Sequence, residues 1–148
     1  PQSTDLILAI GDNQKRKTLY EKYESRIHQL PIIHNGAYVN NTVVIKNCSL
    51  IFNGVLLNTN AMIGTNTIVN SKATIEHESI IKNHSHISVG SIICGRVKIG
   101  NNCFIGAGAI VKDGISICDN VTIGAGAVVV KNIKSPGTYI GNPAKQLQ

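Results

Sequence analysis

From Ile33 to Lys134 an aliphatic residue stands at every sixth position without a gap. Seventeen successive hexads begin with Ile, Val or Leu, from Ile33, Val39 and Ile45 to Ile117, Ile123 and Val129. The fifth residue of the hexad is mostly small, as at Ala61, Ala73, Ser79, Ser85, Ser91, Ala109 and Ala127. An α-helix does not account for this, because a six-residue step drifts around a 3.6-residue turn. An ordinary strand alternates in twos and does not distinguish one alternate position from the next. A triangular prism does account for it. Each hexad forms one flat side and a corner, and three hexads close a coil of eighteen residues. The aliphatic residues then point inward, and stacked coils bury one continuous core. Gly and Asn recur where corners fall, in IGTN, IGNN and twice in IGAG, because left-handed backbone costs them least. The predicted fold class is an all-β solenoid, a parallel β-helix with a short N-terminal strand-helix remnant.

Three segments follow from where the repeat holds. Residues 33–134 are the β-helix. Residues 1–32 are a partial N-terminal segment, with Asp5–Ile10 read as a buried strand, Asn13 as a helix cap, and Leu19, Tyr23 and Ile27 at helical spacing. Residues 135–148 hold Pro136, Gly137, Gly141 and Pro143 and are expected to form a loop over the last coil. Starting at Pro1 without Met, the chain reads as cut or processed.

Composition excludes several classes. With two Phe, four Tyr and no Trp among 148 residues, the chain is not built on aromatic packing. The net charge of +6 fits a solvated surface or a polyanionic ligand such as a nucleotide. The positive residues are not interleaved with aromatics, which argues against nucleic acid. Cys48, Cys94, Cys103 and Cys118 never fall at C-x-x-C spacing, which argues against structural zinc and fits a reducing cytoplasm. No transmembrane run is visible.

Coil arithmetic selects the candidate site. His77 lies one coil from Gly95, so its ring is expected to face a residue with no side chain. Glu76 and Glu78 flank His77, and near a corner either could hold the ring and fix its tautomer. His86 stands nine residues on, half a coil away, so His77 and His86 would meet only across two subunits. Val89, Ala107 and Ala125 form a column whose later members are small, leaving a groove where a ligand can approach main-chain amides. His28, His34 and His84 are read as solvated surface groups. No metal is required.

NSKATIEHE and SHISVGSIICG, followed by IGNNCFIGAGAIV, IGAGAVVVKNI and GTYIGNPAK, resemble the hexapeptide-repeat sugar acetyltransferases that modify sialic acids and UDP-linked amino sugars. The resemblance implies a left-handed β-helix, a homotrimer with sites between prisms, and acetyl-CoA as co-substrate. It implies His77 as general base, Glu78 as its orienting acid, and His86 at the acetyl end from the adjoining subunit. Gly95 would offer its amide near the thioester, Ala107 and Ala125 main-chain contacts to the pantetheine arm, and Asn70 a contact to the acceptor sugar. Lys131, Lys134 and Lys145 are candidates for the coenzyme A phosphates. Family members usually begin with a nucleotide-binding domain opened by a Gly-rich loop. Here DLILAIGDNQKRKTLYEKY resembles only the end of that domain.

The expected function is acetyl-CoA-dependent acetyl transfer to a nucleotide-linked amino sugar in the cytoplasm. O-acetylation of sialic acid or another glycan precursor is the alternative within that chemistry. A silent trimeric solenoid scaffold is the alternative outside it.

Overall fold

The computed structural model describes residues 5–147; residues 1–4 and 148 of the expected terminal segments lie outside it. From Ile32 to Val129 short strands and turns alternate, and strands eighteen residues apart pair in parallel. His86 lies beside Ile68 and Phe104, Ile92 beside Thr74 and Ile110, and Lys98 beside Ile80 and Ser116. Three sheets result, of eight, six and five strands, wound into about six turns of a left-handed β-helix.

The second residue of each strand fills the prism. Ile63, Ile75, Ile87, Ile93, Ile105 and Ile123 are buried in one continuous cluster, and burying each contributes about 1.5–3 kcal/mol. The small fifth position packs beside them. Where it carries a hydroxyl, a corner carbonyl accepts it: Ser79 Oγ donates to Cys94 O at 2.8 Å and Ser85 Oγ to Gly100 O at 2.9 Å. Polar atoms inside the prism are thereby satisfied. The left-handed corner residue includes Asn60, Asn66, Asn102, Gly108 and Gly126, as expected, but also Lys72, Glu78, His84 and Arg96. Ladder bonds such as Arg96 N–H to His77 O, 2.9 Å, offset the roughly 1–2 kcal/mol such backbone costs a side-chain-bearing residue.

The ends depart from expectation in four ways. Asp5–Ile10 forms no strand; among the described residues only Leu6 bridges to Ile27, because Leu8 packs into a cluster with Ile27 and Cys48 instead. The helix α1, Asn13–Lys22, is capped by Asp12 rather than Asn13, Asp12 accepting the Lys15 N–H at 2.7 Å. Asn13 is inside the helix, and its Nδ2 donates to Cys103 O at 2.8 Å. The repeat slips in its seventeenth hexad. Ile133 bridges to Ile117, sixteen residues away, because Asn132 Oδ1 takes the Ser116 N–H in place of a ladder carbonyl and the backbone advances by two. Finally, the C-terminal segment is not simply a loop: Gly137–Ile140 extends the eight-stranded sheet and Lys145–Gln146 pairs back on it antiparallel.

The N-terminal segment covers the eight-stranded side through Arg16. This buried guanidinium donates to Ile10 O at 2.8 Å, Asn66 O at 3.2 Å, His84 O at 2.9 Å and Ser85 O at 3.1 Å. Burial pushes its pKa down to about 10, which still leaves it charged at neutral pH. Along the six-stranded side Tyr38, Ile92 and Ile110 are exposed, uncovered by the described residues.

Candidate active site

The corner between the six- and five-stranded sides carries His77 and, one coil on, Gly95. A methyl group placed on Gly95 would stand 2.5 Å from His77 Nε2 and 2.9 Å from Asp113 Oδ2. The imidazole therefore occupies space that only glycine leaves. His77 Nδ1 pairs with Glu78 Oε2 at 3.1 Å. With a carboxylate on Nδ1, that nitrogen keeps the proton and Nε2 presents its lone pair over Gly95. The carboxylate on the ring is that of Glu78, and Glu76 is engaged elsewhere. Its Oε2 accepts from Asn58 Nδ2, one coil earlier, at 2.9 Å, while the left-handed backbone of Glu78 turns that carboxylate toward the ring. Among the described residues, no hydrogen bond takes the Gly95 N–H. It remains available to an incoming oxygen.

A second group assembles on the neighbouring side. His86, 7% exposed, lies under the N-terminal segment with Nδ1 3.1 Å from Gly11 O and Nε2 3.3 Å from Asn70 Nδ2. The carbonyl fixes the proton on Nδ1, so Nε2 accepts from Asn70. Asn70 Oδ1 in turn accepts the Ser71 N–H at 2.8 Å. Burial lowers the His86 pKa below its ordinary value, against the Gly11 hydrogen bond that raises it. Asn70, His86, Gly11, Leu50, Phe52 and Ile68 line a cavity of about 130 Å³. His77 and His86 thus sit on different sides of one prism.

Ala107 and Ala125 are exposed at the corner next to His86. Their coils are laddered by Gly108 N–H to Val89 O and Gly126 N–H to Ala107 O, at 2.9 and 2.8 Å. Their own N–H groups have no partner among the described residues. Lys131 and Lys145 are exposed, and Lys134 lines a groove of about 520 Å³ with Lys82, Lys98 and Asp119. His84 is not a solvated group: its ring meets Tyr20 edge-on at 5.5 Å and its Nδ1 faces Asn66 Nδ2 at 2.9 Å. His28 pairs with Asp5, and His34 Nδ1 accepts the Gly36 N–H. Among the described residues no three His, Cys, Asp or Glu side chains form a metal-binding group. Two participants escaped the sequence reading. Asp113 was legible, being eighteen residues past Gly95, whereas Arg16 lies outside any periodic pattern.

Residues 78–113 match a family described as bacterial transferase hexapeptide (six repeats), and residues 96–131 match one described as hexapeptide repeat of succinyl-transferase. The acetyltransferase domain of PglB from Neisseria gonorrhoeae is 31% identical, with a TM-score of 0.93 over 97% of this chain and 70% of that one. The chain belongs to the hexapeptide-repeat sugar acetyltransferases. A second member, GDP-perosamine N-acetyltransferase from Caulobacter crescentus, is 31% identical over 98% of this chain and 70% of its own, with a TM-score of 0.94. That structure is of a histidine-to-alanine mutant in complex with CoA and GDP-perosamine. WeeI from Acinetobacter baumannii is 25% identical over 99% of this chain and 72% of its own, with a TM-score of 0.93. No curated protein matches the chain. Within this family of acetyltransferases, the His77–Gly95 corner is the candidate catalytic centre. No described helix is long and apolar enough to cross a membrane.

Proposed function

We propose that this chain is an acetyl-CoA-dependent acetyltransferase that acetylates the amine of a nucleotide-linked amino sugar, with His77 as general base. One observation carries the reading: an imidazole tied to a carboxylate through Nδ1 presents Nε2 over a bare glycine whose N–H has no partner among the described residues. His77 takes a proton from the acceptor nitrogen as it attacks the thioester carbonyl. Gly95 N–H receives the oxyanion, an interaction of about 3–4 kcal/mol for a single donor of this kind. No acyl-enzyme is needed, because holding both substrates together supplies much of the acceleration. A perosamine N-acetyltransferase and other sugar acetyltransferases among the similar structures support the amino-sugar acceptor.

The remaining assignments belong to the same reading. The working unit is a homotrimer joined through the exposed six-stranded sides, and each site lies between two prisms. Asn70 contacts the acceptor, and His86 borders the acetyl end from the adjoining subunit. Ala107 and Ala125 offer main-chain N–H groups to the pantetheine arm, and Lys131 is placed for a phosphate. The segment ahead of the β-helix is the close of a nucleotide-sugar-binding domain. All four cysteines are free, which fits the reducing cytoplasm.

His77→Ala is expected to slow thiol release from acetyl-CoA by about 10²–10⁴-fold with the β-sheet circular dichroism unchanged. Near-normal turnover by the variant removes the base assignment. A wild type that neither binds acetyl-CoA nor acetylates any amino sugar favours a scaffold instead.

A further inference from the structure

The space over Gly95 is bounded on two sides. His77 Nε2 is one wall and Asp113 Oδ2 the other, at 2.5 and 2.9 Å from the point where a glycine Cβ would stand. Both atoms therefore lie beside the same stretch of Gly95 backbone, and an acceptor nitrogen lying between them, clear of that backbone, can hydrogen-bond both. Asp113 is held there from behind, because Arg96 Nη2 donates to its other oxygen, Oδ1. That contact holds a half-exposed carboxylate with Oδ2 on the Gly95 side, near His77. The site thus combines a base and a fixed negative charge on one small volume.

An amine acceptor and a hydroxyl acceptor differ in how they use such a volume. A sugar amine is protonated in neutral water and enters as R–NH₃⁺. A hydroxyl enters uncharged. We propose that Asp113 is a specificity-determining residue that selects amines over hydroxyls by pairing with the acceptor nitrogen while it carries positive charge. The inference rests on His77 being the base of an acetyl-transfer site.

The steps balance without another reactant. The ammonium docks on Asp113 Oδ2 and loses one proton to water. The neutral amine attacks the thioester carbonyl, forming N–C, and the nitrogen becomes positive again beside Asp113. Its second proton passes to His77 Nε2, the C–S bond breaks, and that proton goes on to the departing sulfur. The products are the amide, coenzyme A as its thiol, and one proton in solution. Asp113 itself exchanges no proton; it stabilises charge at the nitrogen before and during attack. A hydrogen bond to a charged partner of this kind is stronger than a neutral one, and no such gain exists for a hydroxyl acceptor.

The test uses the full chain, acetyl-CoA, and paired acceptors differing only by amine or hydroxyl: UDP-glucosamine against UDP-glucose, and GDP-perosamine against its hydroxyl counterpart. Asp113→Asn keeps the shape and the Arg96 contact but removes the charge. It is expected to raise KM for the better amine acceptor about tenfold or more. KM for acetyl-CoA and any rate with the hydroxyl counterpart should not change, and Asp113→Glu should recover part of the loss. An unchanged amine KM in Asp113→Asn overturns the proposal, as does a change confined to acetyl-CoA or equal losses for both members of a pair. If instead the wild type acetylates none of the four, or His77→Ala is as fast as wild type, the function reading fails before Asp113 is at issue.

Discussion

Gly95 lets an imidazole approach the backbone where any side chain would collide with it. Gly95→Ala puts a methyl 2.5 Å from His77 Nε2, so the ring has to move. A displacement of about 1 Å at a reacting atom can cost roughly 100-fold in rate, and a loss of that order in thiol release is expected for the alanine variant. The melting midpoint should shift little, because the moving ring is half exposed. Unaltered turnover would mean the ring is not used where it stands. At this scale the sequence was legible wherever residues are separated by one coil: His77 over Gly95 follows from the number eighteen, and so does Asp113 one step further. It was not legible at the corner itself. Alternation cannot rank Glu76 against Glu78, because the φ of +59° at Glu78 breaks alternation between those two residues.

The N-terminal segment docks through an apolar cluster around Leu8 and through buried polar groups, Arg16 and His86 among them. Arg16 supplies the N–H donors for carbonyls of the segment and of the β-helix alike. Arg16→Met leaves Ile10 O, Asn66 O and His84 O without that donor, each costing about 1–3 kcal/mol when buried, while Ser85 O keeps the Ile68 N–H. Hydrogen exchange should then accelerate from Leu8 to α1 while the β-helix core keeps its protection; retained protection of the segment would show that Arg16 is dispensable. The same docking depends on pH through His86. Its folded pKa is lowered chiefly by burial, so the ring is neutral when covered. As pH falls below the ordinary imidazole value, about 6.5, the undocked chain takes up a proton first and docking is lost progressively toward the lower folded value. Above that ordinary value its contribution is complete. Amide exchange at Gly11 and its neighbours, compared at about pH 7.5 and about pH 5.5, should be faster at the lower pH once corrected for intrinsic rates. Helical spacing at Leu19 and Tyr23 marks the helix in the sequence, but no period marks how the segment docks. Asp12 and Asn13 are both good caps, and the tertiary bond from Asn13 to Cys103 decides between them.

At the level of the molecule, one side is covered by its own N-terminal segment and another exposes Tyr38, Ile92 and Ile110. In the proposed homotrimer Ile92→Asp would place a charge between subunits, and it is expected to yield monomers by sedimentation, with acetyl transfer lost and the β-helix retained. A trimer that survives the change would move the contact to another side. Mixing His77→Ala with His86→Ala subunits should restore part of the activity that each lacks alone, since some interfaces then pair an intact His77 with an intact His86. The prism was readable from hexads because every coil repeats one pattern. The slip at Asn132 was not, since a single amide replacing a ladder carbonyl leaves no mark in the spacing. The uninterrupted coil also makes chain length a form of addressing. Removing one whole coil ahead of Asn70 would lower the tower by a floor and leave the His77–Gly95 corner intact. Removing six residues between His77 and Gly95 would turn everything above by a third of a revolution, and the ring would find Asn101 overhead instead of glycine.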